Sequence, residues 1–60
     1  MRNDLYVHCK NGRRYVILIL GKIQVNDVWV DSVIYREDCG GEIYTRSRSE
    51  FMSKFTKVIN

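Results

Sequence analysis

Apolar and polar positions along the chain sort into short runs broken by polar turn signals, the pattern of a small β protein. Leu5 to His8 reads as a first strand. It is closed by Lys10-Asn11-Gly12, where Asn-Gly supplies the positive φ of a tight hairpin. A second strand starts at Arg13 or Arg14, runs from Tyr15 to Leu20 without a polar break, and alternates from Gly21 to Val25. Asn26-Asp27 predicts a two-residue turn, and Val28 to Arg36, rich in β-branched and aromatic residues, predicts a third strand.

That turn fixes the pairing. Val25 should face Val28, Ile23 Val30, Gly21 Ser32 and Ile19 Ile34, an apolar row with a notch of small residues that is expected to point inward. The expected core is Tyr15 or Val16, Ile17, Ile19, Ile23, Val25, Val30, Ile34 and Phe51. The other row sets Gln24 against Trp29, Lys22 against Asp31, Leu20 against Val33 and Leu18 against Tyr35. Opposite charges facing across a ladder, as Lys22 and Asp31 would, contribute about 0.2–1 kcal/mol and support the register.

After the polar turn Glu37 to Gly41, Ile43 to Arg46 predicts a fourth strand. Ser47 to Glu50 then reads S-x-x-E, a capping box that opens a short helix near residues 48–55, with Phe51, Met52 and Phe55 on one side. Lys57-Val58-Ile59 is expected as a last edge strand. The predicted fold class is all-β: a small curled antiparallel sheet or SH3-like barrel of four to five strands with one short C-terminal helix. Without proline, repeat or low-complexity segment, residues 1–60 read as a single small domain.

The row carrying Val16, Leu18, Leu20, Val33 and Tyr35 is also apolar, and something must cover it. A core in a chain under ~70 residues rarely supplies more than about 3–5 kcal/mol, so such chains add a disulfide, a metal or self-association. The expectation is a homodimer, with Leu18, Leu20 and Val33 as self-association residues. The alternative is cover by the chain's own first strand or C-terminal segment.

Charge and chemistry refine the picture. Ten basic and seven acidic residues give a net charge of +3. This surplus suits phosphate contacts, but Glu37, Asp38 and Glu42 lie among the arginines and favour a protein partner over nucleic acid. Trp29, Tyr35, Arg36, Tyr44, Arg46 and Arg48 are the candidate partner-binding residues, because aromatics and arginine dominate interface hot spots. Cys9 and Cys39 form no metal-binding or redox spacing and are expected to be reduced thiols. His8 is the sole histidine and cannot serve Cys9, its neighbour on a strand, so neither a catalytic set nor a metal site nor a cofactor is expected. His8 reads instead as a hydrogen-bonded residue beside the first turn. The apolar runs are far shorter than the ~20 residues of a membrane span, and no membrane partner is expected.

Tyr6-Val7-His8-Cys9-Lys10-Asn11-Gly12 with Tyr15-Val16, followed by Tyr35, Gly40, Ile43-Tyr44-Thr45-Arg46 and Phe51, resembles a family of short bacterial and phage domains of unknown function. That family reads roughly Y-x-H-x-K-G-G-x-Y-x-V-L near its start and V-V-Y…Y-G…L-W-V-R-P-x-x-M-F toward its end. Here one extra residue enters the first turn, the second loop is shorter, and Tyr44-Thr45-Arg46-Ser47 replaces W-V-R-P. The resemblance implies a curled SH3-like sheet with a helical turn and a phage origin; with the polar N-terminus and the reduced thiols, that origin places the expected location in the host cytoplasm. The functional expectation is a non-enzymatic protein that binds and inhibits a host protein, a defence-system component being one such target. The competing expectation is a nucleic-acid-binding or nucleotide-sequestering SH3-like module.

Overall fold

The computed structural model describes residues 5–58. Its elements are β1 (Leu5–His8), β2 (Arg14–Val25), β3 (Val28–Glu37), β4 (Ile43–Ser47), α1 (Arg48–Lys54) and β5 (Phe55–Lys57). All pairings are antiparallel, in the sheet order β4-β3-β2-β1-β5. With β4 and β5 at its two edges the sheet stays open, so the expected all-β fold is present as a sheet and not as a closed barrel. The last strand begins at Phe55, ahead of its expected start; Val58 lies beyond it, and Ile59 lies outside the described residues.

The Asn26-Asp27 turn sets the β2–β3 register as the sequence implies. Asn26 and Asp27 both take left-handed φ values, 51° and 66°, as a two-residue hairpin whose twist matches its strands requires. Val25 pairs with Val28, Lys22 with Asp31 and Ile19 with Ile34. An Asp27→Gly variant removes the Cβ from the second left-handed position and should stabilise the fold by about 0.5–1 kcal/mol. A rise of several degrees in the thermal midpoint followed by circular dichroism is the expected result, and a fall would contradict this turn geometry.

Beyond Ile19 the register shifts: Ile17 pairs with Tyr35, leaving Leu18 as an extra residue on β2. A bulge of this kind reverses which residues share a face. Ile17 therefore lies on the face of Leu20 and Val33, whereas Ile19 lies on the other. The expected pairing of Leu18 with Tyr35 is corrected by this one residue.

The core follows the same logic and lies on the face opposite to the one expected. Tyr6, Val33, Tyr35, Phe51 and Phe55 are buried, with Tyr15 and Ile17 packed against them. Of the expected core, Phe51, Ile17 and Tyr15 hold, while Ile19 is 58% exposed, Val25 is also exposed, and Val16, Ile23, Val30 and Ile34 are only half-buried. The helix decides the face, because α1 brings Phe51, and the strand after it brings Phe55, onto the Tyr35 side of the sheet. Phe51 stacks on Phe55 at 4.2 Å between ring centroids, and both meet Tyr35 edge-on at 5.0 and 5.2 Å. Such edge-to-face pairs add about 0.5–1.5 kcal/mol beyond their buried area.

Ser47 caps the helix, its Oγ accepting the Glu50 N–H at 3.3 Å. The expected capping box is half formed, because the Glu50 carboxylate turns to Arg46 Nη1 at 3.5 Å instead. The helix ends at Lys54, where the Phe55 N–H returns to the Phe51 carbonyl.

Candidate functional site

Two regions carry side chains that the fold itself does not use up. The first is the β2–β3 arm. Although β2 is the middle strand of five, none of its twelve residues is buried. Leu18, Ile19 and Leu20 are exposed by 43, 58 and 69%, and Val28 and Trp29 near the turn by 58 and 65%. Lys22 Nζ donates to Asp31 Oδ1 at 2.6 Å across the arm. That hydrogen bond, and then the ammonium charge itself, holds the Asp31 carboxyl below its usual value. A carboxyl lowered in the folded state adds stability above its unfolded value and loses that stability as pH falls through the folded one.

The second region is a hollow of about 200 Å³ beside the core, where the first turn, β2, β3 and β4 meet. Residues lining it include His8, Asn11, Tyr15, Tyr35, Tyr44 and Arg46, with Phe55 at its base. Local structure fixes several of them. His8 ends β1, and its Nδ1 accepts the backbone N–H groups of Lys10 at 3.1 Å and Asn11 at 3.4 Å. This is the hydrogen-bonded role expected from the sequence, and it leaves the ring proton on Nε2. Gly12, at φ 73°, lets the chain turn back so that its N–H reaches the His8 carbonyl. Asn11 Oδ1 accepts the Arg13 N–H at 2.8 Å, so the Asn11 amide nitrogen is its free end. Arg46 Nε donates to the Tyr35 hydroxyl at 2.8 Å, and the guanidinium sits 5.9 Å from the Phe55 ring centroid.

The chain matches no family model, no curated protein sequence and no solved structure.

The six candidate partner-binding residues do not form one surface. Tyr35, Tyr44 and Arg46 come together at the hollow, where Tyr44 is 47% exposed but Tyr35 is only 3% exposed. As a contact for a protein surface Tyr35 is thus corrected: its ring is core, and its hydroxyl is engaged by Arg46. Trp29 pairs with Gln24 near the far end of the arm, six residues along β3 from Tyr35 and so about 20 Å away. Arg36 lies on the other face of β3 from Tyr35, and its Nη1 donates to the Glu37 and Asp38 carbonyls. Arg48, at the start of α1, lines a cleft with Leu20, Lys22 and Asp31.

Of the self-association residues, Leu18 and Leu20 are exposed, but Val33 is fully buried under the helix and cannot meet a partner. Cys9 and Cys39 are free and exposed. Among the described residues there is no cluster of three metal-ligating side chains, and no helix is long and apolar enough to cross a membrane. Sequence reasoning missed His8, Asn11 and Tyr15 as partners of Tyr44 and Arg46. Their signal was present, since β1 and β2 are joined by the first turn and place Tyr6 opposite Tyr15.

Proposed function

We propose that the chain is a small non-enzymatic binding protein of phage origin, which pairs with a second copy of itself and, as a homodimer, occupies and inhibits a host protein. The observation that carries this reading is a central strand without a single buried residue. Leu18 and Leu20 form its exposed apolar strip, lining one cleft with Ile17. A second copy suits the strip for two reasons. Among the described residues five buried hydrophobic side chains make a thin core, and chains of this size commonly gain their missing stability by association. The neighbouring Lys22, Asp31 and Arg48 carry both signs of charge, so the rim can complement itself across a two-fold axis.

Trp29, at the far end of the arm, remains for the host protein, as does Arg48 where the pairing leaves it free; Trp and Arg are the residues most enriched at binding hot spots. The phage origin rests on the resemblance to short bacterial and phage domains, which carries no activity of its own; the inhibitory role follows from that origin, since compact accessory phage proteins often act by binding and disabling a host protein. A component of antiviral defence is the target class to test first.

Two measurements test the proposal. Light scattering at micromolar concentration should give twice the chain mass. In cells carrying a panel of defence systems, expression should restore phage plating by at least about 100-fold against one of them, and Trp29→Ala should abolish the effect while leaving the dimer intact. A monomer mass overturns the pairing. Unchanged plating across the panel overturns the inhibitory role.

A further inference from the structure

The hollow beside the core points to a ligand of its own, on residues separate from the β2 strip. What its walls share is hydrogen-bond donation. The His8 Nδ1 is occupied by two backbone N–H groups, which makes Nε2 a donor. Asn11 uses its oxygen on Arg13 and keeps its amide N–H groups. The Tyr35 hydroxyl accepts from Arg46 Nε, so its own proton is available to another acceptor. Arg46 places Nη1 3.5 Å from Glu50, while Nη2 has no acceptor among the described residues. The Tyr15 and Tyr44 hydroxyls likewise have no hydrogen-bond partner among the described residues.

The acids near the hollow are already engaged. Glu37, which pairs with Tyr15 across the ladder, is held by Arg13 at 3.3 Å. Glu50 is not among the lining residues, and its half-exposed pair with Arg46 at 3.5 Å is of the weak surface kind. Lys10, exposed next to Asn11, adds positive charge at the turn.

A donor-rich, cationic hollow selects an anion, and size and donor number select which one. A carboxylate offers two oxygens, whereas a phosphate monoester offers three terminal oxygens that can be approached from several sides. The hollow of about 200 Å³ holds such a group but not a whole nucleotide, since drug-sized ligands occupy about 300–1,000 Å³. At its edge stands Tyr44, half in solvent, its ring 5.7 Å from Tyr35 and tilted by 34°. An exposed ring beside an anion site is a platform on which a base can stack.

We propose that this hollow binds a nucleoside monophosphate, with the phosphoryl group held by Arg46, His8, Asn11 and the Tyr35 hydroxyl and the base resting on Tyr44. The site takes the ligand by non-covalent contacts alone.

Asn11→Asp gives the cleanest test. Residue 11 is exposed, and an aspartate retains the oxygen that accepts the Arg13 N–H while replacing the inward donor with a negative acceptor. Titrations of the full chain with adenosine monophosphate, guanosine monophosphate, adenosine, inorganic phosphate and acetate, followed by amide chemical shifts, should rank the ligands. One or both monophosphates should bind at least tenfold tighter than inorganic phosphate, which should in turn bind tighter than acetate, with shifts centred on His8, Tyr15 and Arg46. Asn11→Asp should weaken both phosphates at least tenfold with the remaining spectrum unchanged. Tyr44→Ala should bring the nucleotide down to the affinity of inorganic phosphate and leave the latter alone. Adenosine binding as tightly as its monophosphate, acetate matching phosphate, or an unchanged affinity in Asn11→Asp would each overturn the assignment.

Discussion

Phe51→Ala will leave the chain unfolded at physiological temperature. Phe51 is fully buried, stacked on Phe55 at 4.2 Å and met edge-on by Tyr6 at 5.1 Å and Tyr35 at 5.0 Å. Truncating a buried phenylalanine to alanine costs about 3–5 kcal/mol, through lost transfer energy and the cavity left behind. A single core in a chain of this size supplies about the same amount. No reserve remains to absorb the loss. The far-UV circular dichroism spectrum should be that of an unfolded chain, and a cooperative melt within a few degrees of the parent would show that the core lies elsewhere. The matching change at Ile19, placed in the core by pattern alone but 58% exposed, should leave the fold of the isolated chain nearly unaffected.

If the chain pairs as proposed, Leu20→Asp will separate the two copies and remove the stability that pairing adds, without disturbing the core of either. Leu20 is 69% exposed, so within one chain the new carboxylate stays in water and costs almost nothing. Across a paired strip it would be buried without a partner, a loss of several kcal/mol. At about 1.4 kcal/mol per tenfold change in affinity, a rise in the dimer dissociation constant of at least about 100-fold is expected. Sedimentation at a series of concentrations measures it. A variant that still pairs with parental affinity would move the interface off β2, and a variant that unfolds under conditions where the separated parent chain stays folded would show that Leu20 is part of a core.

The contrast between these two residues marks how far the chain could be read without its coordinates. Strand positions, the two-residue turn and the pairing from Val25/Val28 to Ile19/Ile34 were legible, because each follows from local chemistry within a few residues. The choice of inner face was not. It depends on where the segment after Ser47 lands, a contact between parts of the chain some twenty residues apart, and on the extra residue at Leu18, which reverses the alternation without leaving a polar or glycine signal. The aromatic side chains held the missing information. Tyr6, Tyr15, Tyr35, Phe51 and Phe55 all converge on one side, as the bulk of aromatic side chains favours in a small core. At the candidate site, Tyr44 and Arg46 were legible as an aromatic-basic pair. Their meeting with His8 and Asn11 was not, since it requires the curvature that brings the first turn toward β4.

The strand order also orders the assembly of the chain in time. The β2–β3 ribbon joins neighbours in sequence through a two-residue turn, and its closure carries little entropic cost. The pairing of β1 with β5 joins His8 to Phe55, nearly opposite ends of the chain, and cannot begin to repay its loop until the helix has formed between β4 and β5. The ribbon is therefore the natural folding nucleus and the β1–β5 seam the last part to close. Mutations in the Asn26-Asp27 turn should act mainly on the folding rate and mutations in the seam mainly on the unfolding rate. A newly made chain would then present its apolar arm before Phe51 and Phe55 have come into place, so that a second copy can engage the strip while the hollow beside His8 is still unformed.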